Sequence, residues 1–104
     1  MTKADLDYIG SVSIDSDLMS ASGIAPWERV QVVDLTSGAR IETYAIESKP
    51  GSGEIQINGA AAHLIHPGNK VIIMTYLALE EEEIQSHEPI IIHLDDENKI
   101  IYLE

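Results

Sequence analysis

The sequence predicts a mainly β domain, a small closed barrel of short strands with interspersed helical turns. Short apolar runs recur along the chain, each bounded by Gly, Pro, Asn or Asp, the punctuation of strands joined by turns. The apolar content is 44%, too high for a disordered chain, and Ile, Val and Leu supply it with no Phe at all; cores of β-branched residues favour strands. The segment from Arg40 to Ile46 alternates, with Arg40, Glu42, Tyr44 and Ile46 on one face and Ile41, Thr43 and Ala45 on the other, the period of a strand.

Each element has a local reason. Residues 12–14 read as a short strand. Asp15 then caps a brief helix over 16–21, and Gly23 stops it. Leu18, Met19 and Ile24 turn its apolar side inward. Pro26 begins the approach to a strand over 29–34, and Thr36-Ser37-Gly38 is a hairpin signal leading into a strand over 40–47. Lys49-Pro50-Gly51-Ser52-Gly53 is a loop, 54–57 a strand, and 58–64 a turn running into one helical turn. After the break at Pro67-Gly68-Asn69, the strongly apolar stretch 70–77 predicts a strand buried on both faces. Residues 80–85 read as a short acidic helix. Strands over 90–94 and 100–103 flank the turn Asp95-Asp96-Glu97-Asn98.

Composition narrows the function. The chain has 104 residues, with no linker or repeat to divide it, and reads as one domain over 1–104. A net charge of -12 with six Lys and Arg leaves no basic patch, which argues against nucleic acid as a partner. Without Cys there is no disulfide framework and no thiolate metal site. His63, His66, His87 and His93 lack zinc-site spacing, Glu80-Glu81-Glu82-Glu83 reads as a solvated face, and the turn at Asp95 is too short for a calcium loop. No metal is expected. The start, Met1-Thr2-Lys3-Ala4-Asp5-Leu6-Asp7, lacks the apolar core of a secretion leader, and no apolar run is long enough to span a membrane. The expectation is a cytoplasmic protein.

Three segments carry chemistry as a set. They are Tyr8-Ile9-Gly10-Ser11-Val12-Ser13-Ile14-Asp15, then Gly38-Ala39-Arg40-Ile41-Glu42-Thr43-Tyr44-Ala45-Ile46, then Ile57-Asn58-Gly59-Ala60-Ala61-Ala62-His63. Taken singly, Gly-Ser and Asn-Gly are common turn dipeptides, and Arg40 on a strand is commonly a surface group. In this order and spacing they resemble the pyruvoyl-dependent aspartate 1-decarboxylases, over nearly the whole chain.

The resemblance implies a double-psi β-barrel enzyme that converts L-aspartate to β-alanine and carbon dioxide for pantothenate and coenzyme A biosynthesis. Decarboxylation leaves a carbanion at Cα, which needs an electron sink of the kind pyridoxal supplies elsewhere. In the family a pyruvoyl group made from the chain's own serine does this, so the implied cofactor derives from Ser11. The implied route is self-cleavage between Gly10 and Ser11. The serine hydroxyl attacks the preceding carbonyl, the resulting ester is lost by elimination, and the dehydroalanine left behind hydrolyses to pyruvoyl. Gly10 suits the attacked position because no Cβ blocks the hydroxyl.

Thr43 and Asn58 match processing residues that would stabilise the oxyanion, Thr43 also serving substrate binding. Tyr44 matches the proton donor to the carbanion. Arg40 matches the substrate-carboxylate ligand, and Gly59, Ala60 and Ala61 match the small-residue segment that holds substrate. In a protein of net charge -12 a local cation must dominate an aspartate site, since screening over roughly 8–10 Å damps the remote charges. Arg40 is the one cation inside a matching segment. Arg40 and Tyr44 lie about 13 Å apart along one strand face, at about 3.3 Å per residue. Thr43 points the other way, so a site using both Thr43 and Tyr44 is easier to build if the strand twists at a subunit boundary. The family's tetramers place their sites there, and a homotetramer is the implied assembly, with room for an accessory factor that triggers cleavage.

The chain departs from the family at its front. Family members carry an earlier strand with a Gly-Lys-Leu-His-Arg-type segment, whose lysine helps bind substrate. Here Met1 falls near the end of that strand, and Lys3 lies in the wrong segment to replace the lysine. The expectation is a truncated or misassigned start, with reduced stability and impaired decarboxylation for this exact polypeptide. Two alternatives keep the fold. One is a non-processing, inactive barrel acting as a structural or interaction subunit; the other is a decarboxylase of the same type acting on another acidic amino acid.

Overall fold

A computed structural model describes residues 10–103. Strand β1 (Ser11–Asp15) is an interior strand of a five-stranded sheet. Its Val12 and Ile14 are buried, which places this short apolar alternation between two neighbours rather than at an edge. The helix α1 (Ser16–Ser22) follows directly. Asp15 caps it by accepting a 2.8 Å hydrogen bond from the Asp17 N–H, and Gly23, at φ 82°, ends it by donating to the Met19 carbonyl. Leu18 and Met19 are buried, and Ile24 packs against the same core, as the sequence predicts.

Strands β2 (Arg29–Asp34) and β3 (Arg40–Ser48) form the antiparallel hairpin expected around Thr36-Ser37-Gly38. Asp34 organises this turn. Its carboxylate is wholly buried, and Oδ1 accepts from the Thr36 and Ser37 N–H groups at 2.7 and 3.1 Å while Oδ2 accepts from Asn69 Nδ2 at 2.6 Å. Burial pushes the Asp34 carboxyl up, but the Asn69 amide and the Ser37 and Thr36 donors outweigh it and hold the pKa below its ordinary value.

The sheet order is β4-β1-β3-β2-β5, where β4 is Ile55–Asn58 and β5 is Val71–Met74. β1 pairs in parallel with β3 and antiparallel with β4. A parallel pair needs a crossover, and α1 with β2 provides it. Val12, Val30, Val32 and Ala45 are almost fully enclosed, with Ile14, Leu18, Met19 and Ile65 around them. The helix α2 (Glu81–Ile84) carries a reciprocal cap between Glu80 and Glu83. Strands β6 (Ile92–Leu94) and β7 (Ile100–Leu103) form a separate hairpin. The mainly β barrel expectation holds in the form of a curled half-barrel sheet with few short helices.

One expectation is corrected. The apolar stretch 70–77 is not a strand buried on both faces: β5 covers only Val71–Met74, and Ile72 is 46% exposed. β5 is an edge strand paired with β2 alone, with Val71 and Ile73 packed against the core and Ile72 turned outward.

The far end of β1 is tied down by Asp15, which is itself buried. Beyond its helix-capping bond, Asp15 accepts from the Gly51 N–H at 3.0 Å and the Gly53 N–H at 2.8 Å. The Gly53 donor, with those of Asp17 and Gly51 and the nearby Lys99 charge, outweighs burial and lowers the Asp15 pKa. The β6–β7 turn grips the same loop from its other side, Asn98 Nδ2 donating to the Gly53 carbonyl at 2.8 Å and Lys99 Nζ to the Gly51 carbonyl at 3.0 Å. Gly53 is required here: its φ is 69°, and an added Cβ would lie 2.8 Å from the Glu97 carbonyl oxygen.

Candidate active site

Ser11 opens β1 and Asn58 closes β4, and the antiparallel register sets the two opposite each other. Ser11 is buried, with 6% of its surface exposed. Asn58 Nδ2 donates to Ser11 Oγ at 3.0 Å and to Ser13 Oγ at 2.9 Å. Ser11 and Ser13 share a face because they are two residues apart on a strand. The amide therefore holds the Ser11 hydroxyl as an acceptor and leaves its proton free for transfer to another group.

The parallel pairing of Val12 with Ala45 draws the Gly10–Ser11 bond alongside Thr43 and Tyr44. A Cβ on Gly10 would come within 3.4 Å of Thr43 Oγ1. That oxygen is buried and, among the described residues, has no hydrogen-bond partner. A buried hydroxyl left unpaired costs about 1–3 kcal/mol, so its presence beside Gly10 calls for an explanation. Four predicted residues, Gly10, Ser11, Thr43 and Asn58, thus meet at one place.

Tyr44 sits next to them, half-buried, with its ring stacked on Trp27 at a centroid distance of 5.6 Å and an interplanar angle of 24°. Trp27, Arg29, Glu42, Thr43 and Tyr44 line an open depression of about 200 Å³. Arg29 lies opposite Tyr44 in the β2–β3 register and forms an exposed ion pair with Glu42 at 3.4 Å. Gly59, at φ 69°, opens the 3-10 turn Gly59–His63 straight after Asn58, which brings Gly59, Ala60 and Ala61 to the Ser11 end of the β1–β4 pair.

Arg40 is the predicted residue that this cluster does not include. It lies opposite Val33, its Nη1 donates to Gln31 Oε1 at 2.9 Å, and it is not among the residues lining the depression. Three residues at the site, Ser13, Arg29 and Trp27, have no role assigned to them by the sequence. Ser13 could have been found from its place two residues beyond Ser11. Arg29 is brought in only by the hairpin register.

Trp27 carried a signal of its own. In Ala25-Pro26-Trp27-Glu28 the Glu28 N–H donates to the Ala25 carbonyl at 3.1 Å, and Trp27 has φ 69°. This is a type II turn with Pro at its second position, which calls for Gly at the third. A non-glycine residue there is strained by about 1–3 kcal/mol.

The sequence profile of the aspartate decarboxylase family matches residues 1–101. The chain belongs to the aspartate decarboxylase family. The aspartate 1-decarboxylase of Corynebacterium efficiens is 54% identical over 103 residues, covering 99% of this chain and 76% of that protein. The aspartate 1-decarboxylase of Mycolicibacterium smegmatis is 55% identical over 101 residues, covering 97% of this chain and 74% of that protein. Among the described residues, no helix is long and apolar enough to cross a membrane.

Proposed function

We propose that the chain is a self-processing, pyruvoyl-dependent aspartate 1-decarboxylase, a carbon–carbon lyase that converts L-aspartate to β-alanine and carbon dioxide for pantothenate and coenzyme A biosynthesis. Family membership and the two relatives named above support the reaction. The observation that carries the self-processing reading is the Thr43 hydroxyl beside Gly10, unpartnered among the described residues, next to a serine already held by Asn58.

Ser11 Oγ attacks the Gly10 carbonyl carbon, and its proton leaves as the bond forms. The negative charge that develops on the carbonyl oxygen needs a donor present before the reaction begins, and the free Thr43 hydroxyl is suited to that role. Collapse transfers the acyl group from nitrogen to Oγ. Loss of the Ser11 Cα proton then expels Gly10 as a carboxylate, and hydrolysis of the resulting dehydroalanine releases ammonia.

The pyruvoyl group so formed at position 11 supplies an electron sink for the Cα carbanion. Asn58 and Thr43 border its site; Gly59, Ala60 and Ala61 offer backbone to the substrate, and Arg40, outside the cluster within one chain, takes a substrate carboxylate in a site shared between subunits. Tyr44 donates the proton to Cα after carbon dioxide has left. We assign the enzyme to the cytoplasm, as one domain over residues 1–104 working in a homotetramer, with an accessory factor for cleavage as a further partner.

Intact mass under denaturing conditions tests this directly. The expected result is two fragments divided between Gly10 and Ser11, the larger lighter than a serine-started chain by one ammonia, and labelled by phenylhydrazine. One uncut mass after long incubation, with no labelling and no β-alanine formed from aspartate, would refute the proposal.

A further inference from the structure

Trp27, the single tryptophan of the chain, stands where its backbone asks for glycine twice over. It is the third residue of the type II turn, at φ 69°. It is also the first residue of a β-bulge: the Trp27 N–H donates to the Ala45 carbonyl at 2.7 Å, while the Ala45 N–H donates to the Glu28 carbonyl at 2.9 Å. Two residues thus oppose one, an arrangement whose left-handed first position is normally Gly. Burial does not explain the side chain, since Trp27 is 69% exposed. Its ring partner among the described residues is Tyr44. A strained, exposed aromatic at a functional site points to a role for the strain.

We propose that Trp27 is a positioning residue for Tyr44. The argument rests on the reading of Tyr44 as the proton donor. Proton transfer demands that the phenol be held within hydrogen-bond reach of one carbon, yet Tyr44 is half-buried beside an open depression. The indole lies across the Tyr44 ring and limits its rotation. The anchor is well placed, because the bulge is bonded to Ala45, the residue after Tyr44. Movement of β3 therefore carries the indole and the phenol together. Any aromatic ring able to stack should retain part of this effect, and glycine should lose it while relieving the backbone.

The test measures β-alanine formation per cleaved chain, with cleavage counted by mass, for full-length wild type, Trp27→Gly and Trp27→Phe, each with Tyr44 intact and with Tyr44→Phe. Trp27→Gly should lower kcat about threefold to tenfold, the scale of one aromatic stack, with KM changed less than twofold. Its Tm should not fall below wild type, which excludes unfolding as the cause. Trp27→Phe should recover most of the rate, and with Tyr44→Phe in place Trp27→Gly should cost nothing further. A kcat for Trp27→Gly equal to wild type, or an equal loss in both backgrounds, would overturn the positioning role and leave the decarboxylase reading intact. Wild type that is cleaved yet makes no β-alanine would instead overturn both.

Discussion

At the C-terminal end of β1, the Asp15 carboxylate accepts three backbone N–H groups, from Asp17, Gly51 and Gly53. At the N-terminal end, Ser11 accepts from one amide and the neighbouring Thr43 hydroxyl has no partner among the described residues. The two ends are four residues apart, about 13 Å along the strand. The Asp15 end has its donors and acceptors matched and ties helix, loop and hairpin together. The Ser11 end keeps a buried donor unspent. Under the proposed function, the contrast teaches that reactivity is built as a local deficit of hydrogen bonding, next to a surplus that holds the strand in place.

The sharpest way to break this comparison is Ser11→Ala. Cleavage and β-alanine formation should both vanish, while far-UV circular dichroism and Tm stay close to wild type; a cut chain in this variant would disprove the role of the hydroxyl. Thr43→Val comes next. Cleavage should slow by about 10²–10³-fold, the usual cost of one preplaced oxyanion donor, and stability should rise by about 1 kcal/mol because the unpaired hydroxyl is gone. Denaturant melts and a cleavage time course read the two effects separately, and a stability loss would mean that the hydroxyl has a partner in solution.

Asp15→Ala should do the reverse. It strands two loop donors and uncaps α1, so Tm should drop on the order of 10 °C for a domain of this size, and the effect on cleavage should follow only from unfolding. The smallest expected effect is on acid sensitivity. Asp15 and Asp34 both have pKa values held below the ordinary 3.8. Folded protein therefore binds fewer protons at these sites than unfolded protein does. Their stabilisation is complete above about pH 4 and is lost as the pH falls through the lowered values. Tm should fall on acidification below about pH 4, with a shallower slope in Asp15→Ala; identical slopes would show that Asp15 does not contribute.

Local pattern made much of this legible. The β2–β3 hairpin follows from alternation plus a glycine-containing turn, and α1 follows from Asp15 and Gly23 at its ends, because caps and turns act over a few residues. β5 was misread because an apolar run looks the same in a central strand and at a sheet edge. Asp34 was missed because its role depends on Asn69, 35 residues away. Gly10, Ser11, Thr43 and Asn58 were named from resemblance. Periodicity alone does not join Ser11 to a residue 47 positions on.

Sequence by itself determined the main strands and turns and the charge balance, since each depends on residue type and near neighbours, and its resemblance to a family pointed to the Gly10–Ser11 bond. Tertiary structure alone decided that Thr43 lies unpartnered beside Gly10, that Arg40 stays outside the depression, and that Trp27 lies on Tyr44. Those facts depend on strand register, and register is a property of pairing between distant segments that no single segment encodes.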